Sequence, residues 1–276
     1  MIGFPSYLLN SLLYAVLAVY FWRAGWHWSA EVGARTTRTR ILEQLALAAP
    51  LTLHAILLYH TTWHTYGLNF GISDALSAIA WLSLFIYWLA GMRYPMAGML
   101  ALALPIAAVC AILPALLPDS RVIPHSDLPL FKIHLSISML AYALLGIAAL
   151  HAMLMALVER RLHKKTLPAN VHGLPPLLCM ERLLFQVITV GFLLLTLTMI
   201  SGMLFSEELF HQPLEFNHKT VFAILSWGIF AALLGGRRLY GWRGRLAIRW
   251  TLTGFVMLLL AYLGSRLVLE IILHRY

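Results

Sequence analysis

Charge is scarce in this chain. Only 11% of its 276 residues are Asp, Glu, Lys or Arg, where a soluble domain carries about a quarter. So few charges leave little room for a water-facing domain of any size. Cysteine is scarcer still: Cys110 lies in an apolar run and Cys179 in a basic loop. They form neither CxxC nor CxxCH, which excludes a thiol redox motif and a covalent haem-attachment motif. No HExxH, GxSxG, P-loop or GxGxxG is present, so zinc-peptidase, serine-hydrolase and nucleotide-binding signatures are missing. No nucleophile or acid–base dyad stands out, and the expectation is a protein that is not an enzyme.

What the chain has in abundance is hydrocarbon. Apolar residue types make up 61%, and the mean hydropathy is +0.80. Runs near the ~20 residues needed to cross a bilayer fall at about 4–22, 41–60, 74–92, 96–117, 130–157, 183–205, 220–236 and 250–273. The expected fold is therefore all-α, a polytopic membrane helix bundle of about eight transmembrane helices, with 1–276 as a single transmembrane domain. The fourth span reads as broken by Pro105 and Pro114. Residues Met1 to Trp22 lack a basic n-region and a small-residue cleavage site, so they read as a retained first span and not a signal peptide.

The formal charge is +9, which in a soluble chain would suggest nucleic acid. Here the basic residues follow the spans instead. The links after spans 1, 3, 5 and 7 hold 15 of the 20 Lys and Arg. Basic loops stay in the cytoplasm, so both termini are expected on the outer, periplasmic side. The partners expected on this reading are the lipid bilayer and no nucleic acid.

One stretch, Phe216 to Trp250, displays the pattern in miniature. It opens with His218 and Lys219, continues apolar from Val221 to Leu234, and ends in Arg237, Arg238, Arg243, Arg245 and Arg249. The chain has 12 histidines, and many of them fall near the outer edge, where imidazoles are tolerated because one nitrogen can meet water. His54 and His134 differ, since each is flanked on both sides by apolar helix. An ionisable residue within a span is a functional candidate by default. Imidazole is the usual axial ligand of haem iron. A haem slot also needs aromatic or aliphatic walls and a cation for the propionates. His134 and His218 share a predicted depth, with Lys132 and Lys219 as nearby cations. Ser138 and Tyr142 follow His134 at i+4 and i+8, so they line one slowly drifting face. They suit a slot or second hydrogen bonds, and equally an ordinary helix contact. His60 and His64 have i,i+4 spacing, but where the second span should be ending. Arg266 and Glu270, four apart in the last span, read as a buried pair or as part of an ion pathway.

Three segments together resemble the integral-membrane cytochrome c assembly family, which includes CcsA, CcmC and HemX-like haem-handling proteins. They are FKIHLSISMLAYALLGIAALHAMLMALVERRL, NHKTVFAILSWGIFAALLGGRRLYGWRGRLAIRW with its GWRG at Gly241–Gly244, and AYLGSRLVLEIIL. The YpjD-like subset, with a short outer loop, is the most similar. The resemblance implies haem b bound non-covalently, a bacterial inner-membrane location, and haem or other maturation proteins as partners. It implies that His134 is an outer haem ligand and that His54 is an in-membrane histidine of the family. The tryptophan-rich haem-presenting loop of the family is not matched: Asn217, His218, Lys219, Thr220, Val221 and Phe222 stand in its place. His218 is thus a candidate on position alone, with His274 near the place of the family's second outer ligand.

The expected function is haem handling or cytochrome c maturation, with bis-histidine ligation near the periplasmic face. An intramembrane ion or metal transporter and a HemX-like regulator are the rival readings. A topology reporter tests the frame: fused at Lys164 it should read cytoplasmic, and at Asp127 or Glu208 periplasmic. A periplasmic signal at Lys164 would refute eight spans with this sidedness.

Overall fold

The computed structural model describes residues 3–26, 37–64, 67–68, 71–94, 96–117, 128–163, 177–210 and 218–264. Among them, eight helices are long and apolar enough to cross a membrane. They are α1 (Phe4–Trp26), α2 (Thr37–Thr62), α3 (Ile72–Gly91), α4 (Ala97–Leu116), α5 (Pro129–His163), α6 (Leu177–Phe210), α7 (His218–Tyr240) and α8 (Arg245–Leu259). A π-helical turn, Leu260–Gly264, continues α8. The link after α2 holds a two-residue antiparallel pair, β1 (Trp63–His64) with β2 (Gly67–Leu68). The expected all-α membrane bundle is therefore the fold. The helices form two compact units, α1–α4 and α5–α8.

Within the first unit, α1 and α3 both lie along α4, and α2 lies along α3. The buried side of α1 is a stripe at Tyr7, Asn10, Tyr14, Ala18 and Phe21, a three-four spacing that keeps one helix face inward. Between these positions Leu8, Leu9, Leu12, Leu13, Val16 and Val19 face outward. The partner face of α4 is built of alanines, with Ala101, Ala107 and Ala111 buried. Small residues let helix backbones approach when lipid supplies no hydrophobic drive. At that contact the Ser11 hydroxyl donates to the Ala108 carbonyl at 2.7 Å.

The fourth helix runs unbroken through Pro105 and Pro114, and α2 runs through Pro50. The sequence had suggested a break in the fourth span. Spans tolerate proline because neighbouring helices and small local adjustments accommodate the carbonyl left without its N–H. The fifth and sixth helices, of 35 and 34 residues, are longer than the expected spans. Their extra turns carry Glu159 and Arg160 in one and Glu181 and Arg182 in the other past the apolar windows.

The antiparallel pair α2–α3 is fastened along its length. Arg40 donates to the Gly91 carbonyl, with Nη2 at 3.1 Å. The Trp88 indole donates to the Gln44 carbonyl at 3.0 Å, and the Trp81 indole to the Leu51 carbonyl at 2.9 Å. Trp81 and Trp88 are seven apart, as are Leu51 and Gln44, so the two bonds repeat one register two helical turns on. Phe85 stacks between the indoles, with centroids 5.3 and 6.0 Å away. Each indole thereby buries its one polar atom against backbone, as a tryptophan inside a bilayer must.

In the second unit, large side chains enter notches left by glycine. A methyl group built on Gly191 of α6 would meet Leu145 of α5 at 2.8 Å, and one on Gly254 of α8 would meet Phe230 of α7 at 2.9 Å. Next to the second notch, the Ser226 hydroxyl donates to the Gly254 carbonyl at 2.8 Å. The Trp227 indole donates to the Thr196 hydroxyl at 3.0 Å and ties α7 to α6.

These notches set a testable contrast. Gly254→Ala should destabilise the protein by about 1–3 kcal/mol, because Phe230 has to leave its place in a packed interior. Gly228→Ala, where nothing lies within 4 Å of the added carbon, should be neutral or stabilising by up to about 1 kcal/mol. Unfolding of purified protein in mixed micelles, followed by circular dichroism, measures both.

Candidate functional site

His134 sits in the second turn of α5 and faces α6. Its Nδ1 lies 2.7 Å from the Ser201 hydroxyl oxygen. Ser201 in turn donates to the Thr198 carbonyl at 3.1 Å. A hydroxyl has one hydrogen, so once it is given to Thr198 the serine accepts from the ring. That assigns the proton to Nδ1 and leaves the lone pair on Nε2. This is how ligating histidines are held, with the far nitrogen donating to a fixed acceptor. Beside the ring, a Cβ built on Gly202 would stand 3.5 Å from Cε1, an ordinary van der Waals contact.

The ammonium of Lys219, in the first turn of α7, is within electrostatic reach of the His134 imidazole. The start of α7 is therefore near the level of His134. His218 opens α7, while its side chain lies outside the described residues. Lys132 is exposed and two residues from His134, which on a helix places it on a different face. Ser138 is buried and donates to the His134 carbonyl at 2.7 Å, so it secures the turn that carries the imidazole. Tyr142 meets Tyr262 edge to face, with centroids 6.1 Å apart.

His54 belongs to the first unit and is 1% exposed. Nδ1 is 3.2 Å from the Tyr14 hydroxyl and Nε2 is 2.8 Å from the Ser77 hydroxyl. Tyr14 also reaches the Pro50 carbonyl at 3.3 Å. Both ring nitrogens are therefore in use, and ligation through either requires one bond to break. Tyr7, Asn10 and Asp74 are buried on the same two helices as its partners, and the Asp74 carboxylate accepts from the Gly71 N–H at 3.2 Å. His151, in the lower half of α5, bonds the Met180 carbonyl at 2.9 Å, a fastening of α5 to α6.

The other histidine and charge pairs fare differently. Helix α2 ends at Thr62 and His64 falls in β1, so His60 and His64 do not share a helix face. Among the described residues no group of three or more His, Cys, Asp or Glu could hold a metal ion. Arg266, Glu270 and His274 lie outside the described residues, as do Asp127 and Lys164. Sequence reading missed Ser201, Gly202, Tyr14 and Ser77. The signal available was small polar residues inside apolar runs, at ISG in α6 and at helical spacing from Tyr7 in α1.

Eight membrane-length helices with a polar-anchored histidine near one helix end define a multi-pass membrane protein. The description "Cytochrome C assembly protein" matches residues 8–273, and the chain belongs to that family. Inner membrane protein YpjD of Escherichia coli (strain K12) is 35% identical over 175 residues, 62% of this chain and 65% of the relative. The chain thus matches a little under two thirds of that protein's length. Cytochrome c biogenesis protein CcsA of Synechococcus sp. (strain RCC307) is 29% identical over 302 residues, 99% of this chain and 95% of the relative. CcsA of Parasynechococcus marenigrum (strain WH8102) is 26% identical over 305 residues, 100% of this chain and 95% of the relative.

The environment of His54 gives a prediction of its own. His54→Ala should destabilise the protein by about 2–5 kcal/mol, since it leaves a cavity and strips partners from Tyr14 and Ser77. Haem content per folded chain should stay the same. Loss of haem with unchanged stability would instead make His54 a ligand.

Proposed function

We propose that this chain is an inner-membrane haem-handling protein that binds haem b non-covalently at the start of α5 and α7, serving haem handling or cytochrome c maturation. The observation that carries the reading is the His134–Ser201–Thr198 chain, which presets the imidazole as a ligand through Nε2. In this reading His134 and His218 are the two axial ligands. Haem bound there supplies a redox-active iron and two propionate carboxylates. The chain's own work is to orient the imidazole from Ser201 and to place the Lys219 ammonium for a carboxylate. Such a charge-assisted contact is worth about 1.5–3 kcal/mol. Lys132 is the second propionate cation of the proposal, and Tyr142 its wall two turns along α5. Ser138 serves by holding the His134 turn.

Both termini are proposed to be periplasmic, which sets the His134 end on the outer face. The support is the distribution of Lys and Arg described above, and the relative named as an inner membrane protein. CcsA relatives are named for cytochrome c biogenesis, and transfer of that role rests on the site.

The visible spectrum of the purified protein tests the proposal. A Soret band that shifts on reduction is expected, six-coordinate in the wild type. His134→Ala and His218→Ala should each give a five-coordinate or haem-free protein, and His163→Ala should change nothing. Lys219→Ala should lower haem retention by about tenfold or more while membrane insertion is kept. A haem-free wild type, or a spectrum indifferent to both outer histidines, refutes the site and favours an ion-transport or regulatory role.

A further inference from the structure

At the opposite end of the second unit, basic side chains gather without enough acid to match them. Helix α6 begins there, and α7 passes to α8 through the turn Gly241–Gly244, where Gly241 and Gly244 have φ of 68° and 58°. These are left-handed conformations that glycine adopts without a steric penalty. Between them Trp242 folds back onto α7: a Cβ at Gly236 would meet its ring at 2.4 Å. Trp250 packs on the far side of the same indole, with centroids 5.1 Å apart. The turn is therefore a fixed object, and it aims Arg243 back at α6.

The Arg237 guanidinium lies flat over Phe185, with Cζ 3.6 Å from the ring centroid. Its Nη1 is buried and has no hydrogen-bond partner among the described residues. Arg182 and Arg243 are near enough to repel it, and Glu181 is near enough to attract it. Glu181 is already engaged twice. It accepts from the Gly244 N–H at 3.4 Å and lies 3.9 Å from Arg243 Nε. Glu159, the carboxylate of the neighbouring helix end, is taken by Arg245 at 2.6 Å. Arg237 thus lies within electrostatic range of two other guanidinium groups and of one partly occupied carboxylate, and one of its nitrogens is buried without an acceptor among the described residues. A buried donor left unpaired is costly, and more so when it is charged. An arrangement of this kind calls for an anion.

We propose that this corner, formed by Arg182, Arg237 and Arg243 around Glu181, binds the phosphate of an anionic phospholipid. The position selects the occupant. The corner lies at the ends of membrane-length helices, where lipid headgroups are the phosphates at hand. Trp242, Trp250 and Tyr240 beside it are the aromatic types that settle at headgroup level. Guanidinium is also the side chain whose planar fork fits phosphate oxygens. The site makes the GWRG turn a lipid clamp, separate in place and chemistry from the histidine site on the same unit.

The test uses the full chain in dodecyl maltoside micelles, titrated with phosphatidylglycerol or phosphatidylcholine and read by native mass spectrometry. Phosphatidylglycerol should bind about tenfold more tightly, about what one or two arginines near a headgroup contribute. Arg237→Gln should remove most of that preference, and Arg38→Gln, in the first unit, should leave it intact. If Arg237→Gln does not fold, the exposed Arg182→Gln and Arg243→Gln carry the test, each lowering the preference. Equal binding of the two lipids by the wild type overturns the proposal, as does a preference that survives all three substitutions. Displacement of the lipid by an excess of inorganic phosphate also overturns it, by showing a site for free anions.

Discussion

Inside a bilayer there is no water to satisfy a polar group, so each donor and acceptor has to find its partner within the protein. Most contacts between the described helices obey this constraint, while the Asn10 amide and the Tyr87 hydroxyl are buried without a partner among the described residues. Leucine gains nothing by leaving lipid for another leucine. What ties one helix to the next is a short list of polar contacts together with close approach at small residues. The indoles of Trp81 and Trp88 on α2 carbonyls, Ser11 on α4, Ser226 on α8 and Trp227 on α6 all follow this rule. The hydroxyls of Thr189, Thr196, Thr198 and Thr251 bond the carbonyl one turn earlier in their own helices, which is the same rule met locally.

His54 and His134 show how differently the rule can be met. His54 spends both nitrogens on hydroxyls supplied by neighbouring helices, and its ring is a joint among α1, α2 and α3. His134 is held by one serine that has already given its hydrogen to a carbonyl, which fixes the tautomer and orients the ring. The residue type is the same and so is its membrane setting. Their difference lies in the partners that neighbouring helices supply, and those helices are distant in sequence.

The existence and order of the helices were legible, because runs of about 20 apolar residues leave few alternatives. The ends were less so. Helices α5 and α6 continue on charged turns beyond the spans of about 130–157 and 183–205 expected from the sequence. Pro105 and Pro114 looked like breaks because a soluble helix would break there. The inward faces were hardly legible at all. On α1, Leu12 and Val16 face outward while Asn10 and Tyr14 face inward, so the usual link between burial and hydrophobicity is inverted. At the site, His134 was legible as an ionisable residue in an apolar run. Lys219 was legible from its place at the same predicted depth. Ser201 was not, since a lone serine in α6 carries no mark that separates it from Ser206 a turn further on. Its importance arises only when α5 is laid against α6.

The register of α2 on α3 also limits how this hairpin can vary. Gln44 answers Trp88, Leu51 answers Trp81 and His54 answers Ser77, so the two helices engage like the teeth of a rack. Adding one residue within α2 turns everything beyond it by about 100°. The α2 carbonyls past that point would turn away, and each α3 indole opposite them would lose its acceptor. Neither helix can change length in its interior unless the other changes with it. Freedom to lengthen or shorten is confined to the connection between them, where the β1–β2 pair already marks a departure from the helical path. In length, the pair thus behaves as one part, not two.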